Sequence, residues 1–209
     1  MKISIPIVFI ADDDSSVRKG LERLIKSAEF KVETFASAEE FLQRKPYRSG
    51  PSCLVLDVRM PGLSGIDLQK ELIQKDTSTS IIFITGHGNI PMSVEAMKNG
   101  AVDFLPKPFD EKELLSAIIR AIEKSDHIRK NDDERAKINC RVNTLTPREY
   151  ECLRWVISGM LNKQIASKLG VTEKTVKVHR GRVMHKMQTA SVAELVRLAQ
   201  KCGITPPKK

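Results

Sequence analysis

The chain has 209 residues, of which 41% are hydrophobic and 29% are charged, and its formal net charge is +9. This length suits one or two domains, and the hydrophobic fraction is sufficient for folded cores, which excludes a disordered or low-complexity protein. No apolar run approaches the roughly 20 residues of a membrane span, and the N-terminus lacks the apolar segment of a signal peptide. We therefore expect a two-domain protein of the cytoplasm with no membrane partner.

The first part of the sequence has the pattern of a parallel sheet covered by helices. Residues 5–124 alternate short apolar runs with amphipathic stretches. The predicted strands are Ile5–Ala11, Lys31–Phe35, Cys53–Leu56, Ile81–Ile84 and Phe104–Leu105. The predicted helices are Ser16–Ala28, Ala38–Arg44, Ile66–Lys75, Pro91–Asn99 and a fifth that begins at Asp110. Five such units make a doubly wound α/β domain.

A charged tract follows the fifth helix. In residues 124–137, Ile128 is the only large apolar side chain. This composition is typical of a solvated helix that links two domains, and a flexible tether is the alternative interpretation. We divide the chain into a first domain of residues 1–124, a charged, helical linker of residues 125–141 and a second domain of residues 142–209.

The second domain is predicted to contain four helices. Thr146–Glu149 supplies an N-cap, a proline in the first turn and an acidic residue three after the cap, so a helix begins there. Gly159 would end this helix. Three more helices are predicted at Asn162–Leu169, from the cap Thr172 to about Met187, and after the cap Ser191, with Gly170 as a turn.

The positive charge is concentrated in this second domain. Residues 1–138 have a net charge of −1, whereas residues 139–209 have a net charge of +10. Basic side chains that displace counterions from phosphates supply the sequence-independent part of nucleic-acid affinity. The distribution indicates a nucleic-acid partner, and a solvated basic face is the alternative interpretation.

Acidic residues stand at the ends of two predicted strands. Asp12 and Asp13 directly follow the first strand, and Asp57 directly follows the third. Because the carboxyl ends of parallel strands meet at one edge of a sheet, we expect these side chains to be neighbours. Clustered carboxylates repel one another, and Mg²⁺, which prefers oxygen ligands, is the simplest explanation of the cluster. Asp14, the third acid, is expected to cap the first helix.

Two other strand ends add a hydroxyl and an ammonium group. Thr85 follows the fourth strand, and Lys107 follows Pro106 at the end of the fifth. Beside a metal-bound carboxylate, these groups make a site that can hold a phosphoryl group, with Asp57 as the nucleophile. Any one of these residues alone would suit a capping or surface role, but the four strand ends together favour phosphoryl chemistry.

Residues 5–124 resemble the receiver domains of two-component systems. The matching residues are Asp12 and Asp13, Asp57–Gly62, Thr85–Gly86 and Lys107–Phe109. The resemblance implies a sheet of strand order 2-1-3-4-5 and phosphorylation of Asp57 by a partner histidine kinase. It further implies that Asp13, Asp57 and the backbone carbonyl of Arg59 bind Mg²⁺ while Asp12 acts through water. By the same resemblance, Thr85 and Phe104 form a switch and Lys107-Pro108 is a cis peptide.

Residues 163–180 have the spacing of a helix-turn-helix motif. Small Ala166, the turn residue Gly170 and apolar Val176 allow two helices to cross closely. The second helix of such a motif enters the major groove of double-stranded DNA. The candidate DNA-contacting residues, whose donors and small apolar groups suit guanine edges, phosphates or a thymine methyl, are Lys163, Lys174, Thr175, Lys177, Val178, Arg180, Gly181 and Arg182.

This motif resembles the LuxR type, and the domain order is similar to that of NarL/FixJ regulators, particularly FixJ-like ones. Residues 57–61, 104–109 and 175–180 carry the narrower match. The resemblance implies base contacts from Lys177, from Val178 and from position 181, where a glycine either loses a contact or lets DNA approach closely. It also implies a homodimer on phosphorylation, with RNA polymerase as a further candidate partner. The implied dimer contacts are Val192, Leu195 and Val196.

Two alternative functions fit parts of the sequence. A phosphatase of the haloacid dehalogenase type also uses Asp, Thr, Lys and Mg²⁺, but it needs a second acid two positions after the nucleophile, where this chain has Arg59. A regulator that works by protein contact alone would not need the complete acidic set. We therefore expect a phosphorylation-switched transcription factor rather than an enzyme.

Overall fold

The computed structural model describes residues 5–75, 78–86 and 90–207. It divides into two compact units, here called the N-terminal unit (Met1–Lys130) and the C-terminal unit (Asn131–Lys209). In the described ranges, no helix combines the length and the apolar character that a membrane crossing requires.

Five parallel strands form the sheet of the N-terminal unit, in the spatial order β2-β1-β3-β4-β5. The strands are β1 (Ile7–Ala11), β2 (Lys31–Phe35), β3 (Ser52–Asp57), β4 (Ser80–Thr85) and β5 (Asp103–Pro106). The predicted α/β class and strand order are confirmed. Several strand ends differ from the prediction by one or two residues. In particular, Asp57 still pairs with Ile84, and Thr85 with Pro106, so both polar residues belong to their strands.

Helices cover both faces of this sheet. They are α1 (Ser15–Ser27), α2 (Ala38–Gln43), α3 (Gly65–Gln74) and α4 (Ile90–Lys98), followed by α5 (Glu111–Val142). Since successive strand residues face opposite sides, the core forms two layers. Phe9 and Phe83 pack in the layer with α2, α3 and α4, and Val8 and Ile82 pack in the layer with α1 and α5. Burial on both faces explains why β1, β3 and β4 are apolar runs without alternation.

The helix α5 belongs to both units. Its early residues Leu114 and Ile118 are buried against the sheet. Its late residue Ile138 is 2% exposed and belongs to the core of the C-terminal unit. The charged tract of residues 124–137 therefore lies inside a helix, and the predicted linker of residues 125–141 contributes Ile138 to the core of the C-terminal unit.

The C-terminal unit consists of the end of α5 and four further helices. These are α6 (Pro147–Ile157), α7 (Asn162–Leu169), α8 (Glu173–Met187) and α9 (Val192–Lys201). Thr146 and Glu149 form the predicted capping box at the start of α6. Gly170 adopts φ 65°, a left-handed conformation that suits glycine, and this allows the tight turn between α7 and α8. The four predicted helices are confirmed.

Candidate functional site

Three charged side chains meet at the carboxyl edge of the sheet. Asp12 follows β1, Asp57 ends β3, and Lys107 follows β5. Lys107 Nζ donates hydrogen bonds to Asp12 Oδ2 and to Asp57 Oδ1, each at 2.7 Å. The Asp12 and Asp57 side chains are only 1% and 8% exposed. Two nearly buried carboxylates therefore share one ammonium group.

The sheet order explains why a lysine makes this contact. Between β5 and β3 lies β4, so the side chain must cross about two strand spacings of roughly 4.8 Å each. Thr85, which ends the intervening strand, is buried and small, and its backbone carbonyl accepts a hydrogen bond from Lys107 N at 2.7 Å. A long flexible side chain after β5 and a short one at the end of β4 together make the contact possible.

The environment disfavours ionisation of the buried carboxyl of Asp12. Burial raises the pKa of Asp12 above its ordinary value of 3.8, although hydrogen bonds from Lys107 and from the backbone N–H of Asp14 oppose the shift. Burial also lowers the pKa of Lys107, but the hydrogen bonds to both carboxylates together outweigh burial and leave it above 10.5. Lys107 is thus held as a cation beside a surplus of acidic groups.

Backbone groups fix both carboxylates. Arg59 N donates to Asp57 Oδ2 at 2.6 Å, and Asp14 N donates to Asp12 Oδ1 at 2.8 Å. Asp14 also caps α1 as predicted, since its Oδ1 accepts from Ser16 N at 2.7 Å. Arg18, which no motif in the sequence indicated, donates to the Asp12 carbonyl at 2.5 Å.

The segment after Asp57 folds back tightly on β3. A Cβ at Gly65 would overlap the backbone carbonyl of Asp57, so this close approach requires glycine. Gly62 adopts φ 79°, and the next residue, Leu63, donates its N–H to Glu39 Oε1 at 2.8 Å. Glu39 thereby anchors the segment that contains Arg59. Sequence reasoning missed this role because the contact joins residues 24 positions apart.

The residues at this edge suit Mg²⁺ chemically. Asp13 is exposed beside the buried Asp12. Among the described residues, no group of three or more His, Cys, Asp and Glu side chains is arranged to hold a metal ion. Mg²⁺ nevertheless keeps several waters and needs only one or two carboxylates from the protein. The surplus negative charge around Lys107 and the oxygen donors match that preference.

The two expected switch residues lie at different depths of the sheet. Thr85 is beside the site, because its neighbour Ile84 pairs with Asp57. Phe104 pairs with Phe83, and their ring centroids are 6.1 Å apart. The structure therefore brings Thr85 to the carboxylates and leaves Phe104 partly buried further down β5. Lys107-Pro108 is a cis peptide, as the resemblance implied.

The helix α8 has one buried and one exposed face. Val176, Val183 and Met187 are buried in the core of the C-terminal unit. Most of the predicted DNA-contacting residues are exposed, namely Lys163 on α7 and Lys174, Lys177, Val178, Gly181 and Arg182 on α8.

Two of the predicted contacts are engaged within the C-terminal unit. Arg180 is partly buried, and its Nη1 donates to Asn162 Oδ1 at 3.1 Å, which links α8 to α7. The Thr175 hydroxyl lies 2.9 Å from that of the cap Thr172. Both side chains therefore have a structural partner in addition to any role at DNA.

The predicted dimer contacts on α9 differ in accessibility. Val192 and Val196 are partly exposed. Leu195 is fully buried in the core of its own unit, so its side chain is not available to a second chain. We therefore remove Leu195 from the pairing surface. The periodicity of an amphipathic helix shows which residues are apolar but not which of them the unit's own core uses.

Comparison with known proteins agrees with both units. Residues 8–119 match the response regulator receiver domain, and residues 143–199 match the bacterial regulatory proteins of the luxR family. The chain belongs to the response regulators of the NarL/FixJ type. A receiver domain joined to a LuxR-type DNA-binding domain makes this response regulator a FixJ-like regulator of transcription.

Its relatives match over nearly the whole chain. Nodulation protein W of Bradyrhizobium diazoefficiens is 48% identical, with 95% of this chain and 87% of that protein covered. FixJ of Azorhizobium caulinodans is 42% identical, with coverages of 99% and 97%. Among solved structures, the response regulator StyR gives a TM-score of 0.79 at 48% identity, with 94% of this chain and 99% of that chain covered. Full-length FixJ from B. japonicum gives 0.55 at 40% identity, with coverages of 95% and 97%.

Proposed function

We propose that a histidine kinase phosphorylates this response regulator on Asp57 and that the phosphoryl group controls DNA binding by the C-terminal unit. The observation that carries the proposal is the pair of 2.7 Å hydrogen bonds from Lys107 Nζ to Asp12 and Asp57. An ammonium group that already contacts the acceptor carboxylate is placed to bind a phosphoryl oxygen after transfer.

In the transfer, a carboxylate oxygen of Asp57 attacks the phosphorus atom of the phosphohistidine. The new P–O bond forms an acyl phosphate, and the P–N bond to the histidine breaks. Asp13, Asp57 and the Arg59 carbonyl would hold Mg²⁺, with Asp12 acting through water, and the bound ion would offset the charge on the phosphoryl oxygens. Lys107 binds one of these oxygens, and the backbone N–H of Arg59 keeps the carboxylate oriented.

The phosphoryl group then acts through Thr85 and Phe104. The Thr85 hydroxyl moves toward the new oxygens and leaves space into which the Phe104 ring turns. This change reshapes the surface of α4, β5 and α5. The position of Thr85 at the end of the strand next to Asp57 supports this step.

The output is sequence-specific binding to double-stranded DNA in the cytoplasm. The exposed basic residues of α8 suit a helix that enters the major groove, and the C-terminal part of the chain has the whole positive excess. We propose that phosphorylated chains pair through Val192 and Val196, that RNA polymerase is a further partner, and that no external substrate is turned over.

Replacement of the acceptor tests the phosphorylation step. Asp57→Asn should remove labelling by acetyl phosphate and should remove the rise in DNA affinity on adding beryllofluoride with Mg²⁺. Asp14→Asn is the matched control, because asparagine also caps helices, and it should be labelled like the wild type. Stoichiometric labelling of Asp57→Asn would remove the assignment.

The DNA contact has its own test. Lys177→Ala should weaken binding by about 1 to 3 kcal/mol if the contact is to a base, with relaxed preference at one position of the site. Filter or fluorescence titrations against a set of single-base variants measure both quantities. Unchanged affinity and preference would exclude Lys177 from base recognition.

A further inference from the structure

The helix α8 contains a glycine that the fold of its unit does not require. Gly181 lies inside the helix and does not have the positive φ that favours glycine. Apart from its chain neighbours and the adjacent backbone of its own helix, a Cβ built at this position would meet no atom of the described residues within 4 Å. Because glycine is less stable than alanine inside a helix, the folded unit gives no reason for its presence. The position is therefore open to a group that approaches the helix from outside.

Gly181 occupies the middle of the exposed face of α8. Residues three and four apart are neighbours on a helix, so Lys177 and Val178 lie one turn before it and His185 lies one turn after it. All three are exposed, and the Val178 side chain is an apolar group with 48% exposure. The surface is thus a gap at Gly181, beside an apolar side chain and bordered by an ammonium group.

We propose that this gap admits the 5-methyl group of a thymine in the major groove and that Gly181 thereby determines a base preference. The inference rests on the proposed binding of DNA through α8. The edges of base pairs present hydrogen-bonding atoms or, for thymine, a methyl group. Neither Gly181 nor Val178 has a side-chain donor or acceptor, so the methyl group is the base feature that this surface complements.

One added methyl group is enough to test the inference. Gly181→Ala places a methyl group in the gap without a clash inside the unit. The two methyl groups, one from the protein and one from thymine, would then compete for the same space. Deoxyuridine differs from thymidine only by this methyl group, so it isolates the contact.

The experiment uses the full chain activated with beryllofluoride and Mg²⁺. The wild type selects its site from randomised duplex DNA, and each thymine is then replaced singly by deoxyuridine. One replacement per half-site should lower wild-type affinity about fourfold, the factor expected for one buried methyl group. Gly181→Ala should bind the thymine site about tenfold more weakly, because overpacking is unfavourable. It should also lose the preference for thymine at that one position.

Gly20→Ala is the matched control. Gly20 is also an exposed glycine inside a helix, here α1. Apart from its chain neighbours and the adjacent backbone of α1, a Cβ there likewise meets no described atom within 4 Å. This variant should keep the wild-type affinity and thymine preference. Thermal unfolding of Gly181→Ala, followed by Trp155 fluorescence, should occur at or above the wild-type temperature.

Three results would overturn the inference. Equal thymine preference in Gly181→Ala and the wild type would show that the gap does not hold the methyl group. A lower unfolding temperature of Gly181→Ala would show that the fold itself needs glycine. If the wild type selects no DNA sequence, the proposed DNA binding fails together with this inference. If the wild type selects a sequence and Gly181→Ala keeps the same thymine preference, only this inference fails.

Discussion

Each unit buries a carboxylate beside a lysine, but the two sites differ in their balance of charge. In the C-terminal unit, Glu149 Oε2 accepts hydrogen bonds from Lys186 Nζ at 2.6 Å and from Thr146 N at 2.9 Å, and its side chain is 3% exposed. One carboxylate therefore meets one ammonium group. In the N-terminal unit, Lys107 must serve both Asp12 and Asp57. The site in the C-terminal unit pairs one acidic group with one basic group. The site in the N-terminal unit has one more acidic group than basic groups, and a second cation would balance it.

The pKa values of the two buried carboxyl groups shift in opposite directions. The hydrogen bond from Lys186, supported by the N–H of Thr146, lowers the pKa of Glu149 below its ordinary value of 4.5. Burial raises the pKa of Asp12 above 3.8. Folding thus favours the ionised form of Glu149 and disfavours that of Asp12. A buried acid whose ionised form the fold disfavours is the better candidate for a functional site.

Removal of Lys107 should have the largest effect. Without Mg²⁺, Lys107→Met leaves two buried carboxylates with no cation and should destabilise the N-terminal unit by about 3 to 5 kcal/mol. Millimolar Mg²⁺ should restore much of this loss. Urea unfolding, followed by hydrogen exchange in peptides from β3, measures the free energy with and without the ion.

The control for this variant is Lys75→Met, which removes an exposed lysine of the same unit. Its stability should change little and should depend on Mg²⁺ as in the wild type. If Mg²⁺ stabilises Lys107→Met no more than the wild type, the surplus of negative charge does not make a cation site.

Removal of Lys186 should have the next largest effect. Lys186→Met leaves one buried carboxylate that keeps its hydrogen bond from Thr146, so the loss of stability should be about 3 kcal/mol, at the lower end for a broken buried pair. The single tryptophan, Trp155, lies in the C-terminal unit and reports its unfolding. Adding Glu149→Gln should recover part of the loss. If Mg²⁺ restored the stability of Lys186→Met as much as that of Lys107→Met, the two sites would not differ in their need for a cation.

The pH dependence should show the smallest effect, with opposite signs. The wild type should be more stable to unfolding than Glu149→Gln by a constant amount above about pH 4.5, and this difference should be lost as the pH falls through the lowered pKa of Glu149. The free energy of unfolding of Asp12→Asn should increase relative to that of the wild type as the pH rises from 3.8 through the raised pKa of Asp12. Unfolding in EDTA buffers between pH 3 and 7 measures both differences. If both stability differences changed with pH in the same direction, the contrast between the Glu149 and Asp12 sites would be wrong.

The sequence predicted that Asp12, Asp57 and Lys107 lie together, because strand ends are local features. Short apolar runs that stop at Asp12, Asp57, Thr85 and Lys107 can be recognised without a structure, and parallel strands bring their ends together. Capping residues such as Thr146 are equally local. The anchoring contacts were not predictable, because Glu39 reaches Leu63 only after the sheet has formed.

Burial on a helix was also beyond the sequence. Leu195, Val192 and Val196 are all apolar, yet only Leu195 is fully buried in its own core. The charged segment around Ile138 predicts a linker over residues 125–141, but Ile138 is buried among the residues of the C-terminal unit. Both outcomes depend on which helices pack together, and periodicity does not contain that information.

The buried position of Ile138 limits how this regulator can be recombined with others. A fusion that joins a foreign receiver at residue 142 would delete Ile138 from the output core. It would also delete Arg141, whose Nη1 donates to the Met187 carbonyl at 3.2 Å, and Glu134, which pairs with Lys201. A junction near Asn131 would transfer these residues intact. The portable cassette, for an engineer or for gene fusion during evolution, therefore begins inside a helix rather than after it.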